Sequence, residues 1–102
     1  MNTELERDTW VTQTLRLVQA LLGAVSPNFR MVALAKEINE WRLIFVLASE
    51  SSEDRDEIDD IAIEFEALQD CPIELKVELV VSNQPIDWPS PPTAVVYRRR
   101  EA

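Results

Sequence analysis

Histidine is absent from this 102-residue chain, and its absence excludes more chemistry than any residue present suggests. Without imidazole the chain lacks the commonest general base, the usual partner that activates a serine or cysteine nucleophile, and the commonest metal ligand. Triads built on histidine are therefore ruled out. Glycine occurs once, as Gly23, so no glycine-rich loop can cradle phosphates. Cys71 is the single cysteine, which precludes an internal disulfide and suits a reducing compartment. Beside Pro72 and Asp70 it lacks the basic surroundings that lower a thiol pKa, and it reads as a small packing residue. No apolar run approaches membrane-spanning length. The opening MNTELERDTW carries acids where a secretion signal needs basic and then apolar residues, so the expected location is the cytoplasm.

Positive charge is also scarce. Ten Lys and Arg stand against nineteen Asp and Glu, giving a net charge of −9 and a pI near 4.4. Surfaces that hold nucleic-acid phosphates or anionic lipid are basic, so neither is an expected partner; a basic protein is. With 46% hydrophobic residues the chain should form one domain over residues 1–102, with a single modest core.

What the sequence does contain is concentrated between Ser49 and Asp70, SESSEDRDEIDDIAIEFEALQD, which holds ten of the nineteen acids. Successive residues set about 100° apart place Ile58, Ile61, Ala62, Phe65 and Leu68 on one stripe, with Asp56, Asp59, Asp60, Glu64, Glu66 and Asp70 facing away. The pattern predicts an amphipathic helix. Ser51 or Ser52 serves as N-cap, and Glu53, Asp54 and Asp56 complement the positive end of the helix dipole. That effect fades after the first turn, so the later acids need another reason. Glu53/Glu57, Asp56/Asp60, Asp60/Glu64 and Glu66/Asp70 are like charges four residues apart, together costing on the order of 1 to 2 kcal/mol at low salt. Only Arg55/Asp59 opposes them. Solubility would justify such self-repulsion, and a cationic partner would relieve it. Ile63, with Ala67 one turn on, sits opposite the core stripe among these acids. An apolar residue in a polar ring is how a small interface centre looks, although single exposed apolar residues are also ordinary.

A first helix is expected over residues 3–25, with Thr3 as cap and Glu4 and Glu6 in its first turn. Val11, Leu15, Val18, Leu22 and Val25 form its expected buried stripe, widened by Trp10, Leu17 and Leu21. Thr12, Gln13, Arg16, Gln19 and Gly23 lie opposite, and Ser26-Pro27-Asn28 is the expected stop. Phe29 to Ala35 and Trp41 to Ala48 read as a hairpin, whose apolar second strand should be central. Ile73 to Ser82 alternates cleanly, Ile73, Leu75, Val77, Leu79 and Val81 inward, leaving a sheet with one wet face. Asn83 to Pro92 is a loop stiffened by four prolines. Its Trp88 folds back on the core, the commoner outcome, or anchors a partner, and is carried among the candidate binding residues. Thr93 to Arg99 is a last strand, and Arg98, Arg99 and Arg100 should neutralise the protein's own acids. The expected fold is α+β: a two-layer α/β sandwich in the order α-β-β-α-β-β, its two helices on one face of a four-stranded, largely antiparallel sheet.

The stretches LLGAVSPNFRMVAL and NEWRLIFVLASESSEDRDEIDDIAIEFEAL, across roughly residues 21–68, resemble small bacterial immunity proteins of contact-dependent growth inhibition and related polymorphic toxin systems. The resemblance implies a cytosolic, non-catalytic protein that binds and blocks a cognate toxin domain, often a nuclease. Its charge agrees, because a nuclease presents a basic surface that an acidic inhibitor can occupy with fast, salt-sensitive association. The candidate contact residues are Asp56, Asp59, Asp60, Ile63, Glu64, Glu66, Ala67, Asp70 and Trp88, with Arg55 fixing register. No catalytic residue, metal ligand or cofactor is expected. DRDEIDD lacks the glycine of a calcium loop, and paired carboxylates acting as an acid and base would need a cleft. The competing readings are a homo-oligomeric or accessory interaction module using a sheet edge or the proline-rich loop, a small carboxylate enzyme, and a DNA mimic that binds many basic proteins.

Overall fold

A computed structural model describes residues 3–101, with side chains from Arg7 onward; the expected Thr3 cap and the first-turn acids Glu4 and Glu6 lie outside the described side chains. The elements follow the expected order: α1 (Thr3–Leu21), β1 (Phe29–Lys36), β2 (Trp41–Leu47), α2 (Ser52–Ala67), β3 (Leu75–Val81) and β4 (Thr93–Arg98). The strands form one sheet in the order β3-β2-β1-β4. β2 is central, as its apolar run requires.

β1 pairs antiparallel with β2 and with β4, whereas β2 and β3 run parallel. The sheet is therefore mixed rather than largely antiparallel. The reason lies in the connection: α2 carries the chain back along the sheet before β3 begins, and a helical crossover between neighbouring strands returns it in the same direction.

On the helix side of the sheet Phe29, Val32 and Leu34 from β1 and Trp41, Leu43, Phe45 and Leu47 from β2 pack under Leu17, Ala20 and Leu21 of α1 and Ile58, Ile61 and Phe65 of α2. Phe29 meets Phe45 edge-on at 6.2 Å. Leu75 and Leu79 of β3 join this core, but Val77 and Val81, on the same side by register, stay exposed because β3 is an edge strand. The opposite face is not fully wet. β3 and β4 lie at opposite edges, so the proline-rich loop crosses that face, and Ile86 packs with the buried Met31, Ala33 and Val46.

α1 departs most from expectation. It ends at Leu21 rather than Val25, because Gly23 adopts a left-handed φ of 78° and stops the helix before Pro27 is reached. Its rotation also differs. Val11, Leu15, Val18 and Leu22, expected inside, are 40 to 75% exposed, while Leu17, Ala20, Leu21 and Gln13 are buried. Two apolar stripes share this helix, and periodicity alone does not rank them. Tertiary contacts do: Trp10 packs edge-on against Trp41 at 5.2 Å, and Gln13 exchanges hydrogen bonds of 2.7 and 2.9 Å with Gln69 beyond α2. Cys71, expected to pack, is exposed.

Glu101 is clamped to a bulge in β1. The extra residue there, Arg30, is buried and donates to both Glu101 carboxylate oxygens at 2.8 and 2.9 Å and to the Ser82 and Gln84 carbonyls at 2.6 and 2.8 Å. Arg30, assisted by Arg99, pulls the Glu101 carboxyl down to about 2 against the opposing effect of burial. A carboxylate whose folded pKa is depressed stabilises the fold above its ordinary value of 4.5 and loses that contribution as pH falls toward about 2. Thermal melts across that acid range should show Glu101→Gln with a flatter pH dependence than the native chain. Equal slopes would remove this clamp from the account of acid stability.

Candidate partner-binding surface

The outer face of α2 is set by how the helix is capped and docked. The Ser51 hydroxyl accepts the Asp54 backbone N–H at 3.1 Å, giving the helix its N-cap. Asp54 is buried, and its carboxylate accepts from Asn28 Nδ2 at 2.8 Å; Asn28 also holds Ser49 through that residue's backbone and hydroxyl. This polar hub pins the start of α2 to the start of β1. Ile58, Ile61, Ala62 and Phe65 are buried below. Their burial turns Asp56, Ile63 and Ala67 directly outward and Asp59, Asp60, Glu64 and Glu66 to the flanks.

All seven of those residues are exposed, and Ile63 keeps 65% of its surface in contact with solvent. Several of the protein's cations are paired elsewhere. Arg42 pairs with Glu37, Glu40 and Glu78, Lys76 with Glu40, and Arg30 and Arg99 with Glu101. Arg55, expected to pair with Asp59, instead makes a two-pronged contact with Glu50 before the helix, and Asp59 adds only a Coulombic attraction. Among the described residues, no ion pair reaches Asp56, Asp59, Asp60, Glu64 or Glu66. The ridge is uncompensated negative charge around one apolar centre. Its carboxylates lie exposed on the outer, convex side of the helix.

Two candidate residues stand apart from it. Asp70 lies beyond the end of α2 and is 3.2 Å from Arg16 of α1, so its charge is partly answered within the chain. Trp88 does not fold back on the core. It is 65% exposed on the sheet face away from the helices, with the Arg98 guanidinium 4.6 Å from its ring centroid. Arg98 is thereby committed to the loop, donating also to the Ile86 carbonyl, rather than to an acid. A flat partner that covers α2 cannot also reach Trp88 through the sheet.

Two features escaped the sequence reading. Ile38, in the turn between β1 and β2, is 92% exposed. A shallow apolar groove of about 410 Å³ runs between α1 and the lead into β4, lined by Trp10, Val11, Leu15, Pro91 and Pro92 among others. The second apolar stripe of α1 was the available signal for the groove.

Comparison with known proteins adds one finding. A family model described as MafI2 immunity protein matches residues 9–101, nearly the whole chain. No curated protein matches it.

Proposed function

Because the chain belongs to the MafI2 immunity protein family, we propose that it neutralises its cognate toxin by seating the outer face of α2 on a basic surface of the toxin domain. The chain is an immunity protein of a polymorphic toxin system. The observation that carries the finer reading is the set of exposed α2 carboxylates that no ion pair among the described residues reaches. In this reading Asp56, Asp59, Asp60, Glu64 and Glu66 meet toxin lysines and arginines, and Ile63 with Ala67 forms the dry centre. The toxin is a nuclease, whose phosphate-binding surface supplies the basic counterpart. The immunity protein acts by occupancy alone, without catalysis, in the cytoplasm, where the toxin would meet nucleic acid.

Such an interface is steered by long-range charge and screened by salt. Surface plasmon resonance with the cognate toxin domain should give a Kd that rises at least about tenfold between about 50 mM and about 500 mM NaCl, most of it through slower association. A Kd unchanged across that range would overturn the acidic-ridge reading.

A further inference from the structure

We propose that the exposed stripe of α1 is the contact surface of a twofold homodimer, in which α1 packs antiparallel against α1 of a second copy with the axis near Leu15. This surface lies on the other helix from the acidic ridge, so the inference does not rest on the proposed toxin contact. Val11, Leu15, Val18 and Leu22 recur at helical spacing and are all substantially exposed, with no charged side chain among them. On a molecule of net charge −9, two copies can approach only where their acids are remote. Between Val11 and Leu22, one turn after the exposed Asp8 beside Arg7, this face meets that condition. Its neutrality continues onto the outer strand β4, which carries no charge from Thr93 to Tyr97, whereas the opposite edge strand β3 is guarded by Lys76 and Glu78.

Geometry selects helix packing over strand addition. β4 has an extra residue, Val96, opposite the Val32–Ala33 step of β1, and a bulged edge is a poor template for extending a ladder. An antiparallel α1 pair centred on Leu15 brings Leu22 of each copy opposite Asp8 of the other, with Arg7 and Val11 on either side of it. That is the Arg7–Val11 end of the groove, so Leu22, the most exposed of the four, enters it. Charge does not oppose the arrangement. The last turn of α1 has no basic residue of its own, and Arg7 of the second copy arrives there with Asp8 beside it, one charge of each sign. Because a twofold contact repeats, both ends share this arrangement. α1, 19 residues long, spans about 28 Å. With the groove beside it, the face covers on the order of 600 Å², somewhat below the roughly 800 Å² per partner of a standard interface, the size expected of a weak, concentration-dependent dimer.

Sedimentation of the full chain from about 1 to about 200 µM should show the mean mass rise from 11.7 kDa toward twice that value. Raising the salt concentration should strengthen this self-association, opposite to its expected effect on toxin binding, because it screens the repulsion between two acidic chains. Leu15→Glu with Leu22→Glu alters exposed residues, so the fold should persist by circular dichroism while dimerisation weakens at least about a hundredfold. Arg7→Glu should weaken it about tenfold. Ile63→Glu, on α2, should leave it unchanged. A chain that stays at 11.7 kDa at the highest concentration, or a dimer indifferent to the Leu15/Leu22 change, overturns the proposal. So does a monomer whose toxin affinity falls in that double variant, since the groove then belongs to the toxin.

Discussion

Replacing Asp59, Asp60 and Glu64 together by lysine should raise the Kd for the toxin domain about a thousandfold at low salt, a loss of on the order of 4 kcal/mol. The three residues are exposed, and among the described residues none is in an ion pair, so the change breaks no salt bridge of the fold. Its effects on the helix should nearly cancel. Lysine at position 60 turns the Asp56/Asp60 repulsion into an attraction, lysine at position 59 turns the Arg55/Asp59 attraction into a repulsion, and the 60/64 pair stays like-charged, each worth a few tenths of a kcal/mol. Weaker binding together with an unchanged Tm would therefore separate recognition from folding. At high salt the deficit should shrink, because the lost term is the screened one. Unchanged affinity at both salt concentrations would end the α2 reading, while leaving a contact through Trp88 or the α1 groove open to measurement.

The largest loss of stability is expected from Phe45→Ala. Phe45 is fully buried in the central strand, faces Val32 of β1 and Leu79 of β3 across the sheet, and meets Phe29 edge-on. Removing its ring leaves a cavity roofed by two helices and framed by strands on both sides, which cannot collapse without moving the sheet. Such substitutions cost about 3 to 5 kcal/mol, against a total stability of about 5 to 15 kcal/mol for a domain. For a chain of this size the Tm should fall by about 15 to 30 °C. Ile63→Ser, made in an exposed apolar residue of similar hydrophobicity, should change stability by less than about 0.5 kcal/mol. Should the two variants melt together, the core would not lie where the sheet register places it.

The acidic helix was legible because every signal for it is local. The cap at Ser51, the stripe Ile58, Ile61, Ala62 and Phe65, and the ring of acids around Ile63 all follow from spacing along one element. The family resemblance rested on that same region and on the hairpin before it, and the matching family model extends over residues 9–101. Trp88 was not legible, because whether an indole in an irregular loop turns inward depends on which face that loop crosses.

Element order, element type, the centrality of β2 and the charged character of α2 were decided by propensity, capping and periodicity, which act within a few residues. The rotation of α1, the parallel β2–β3 pairing and the cover over the second sheet face were decided by contacts between residues far apart in the chain. In α1 two apolar stripes compete for one core. The Trp10–Trp41 contact and the Gln13–Gln69 exchange fix which stripe is buried, and the other is left facing solvent. Hydrophobic burial is non-directional, so the pattern on a single helix specifies that a face must be covered without specifying by what.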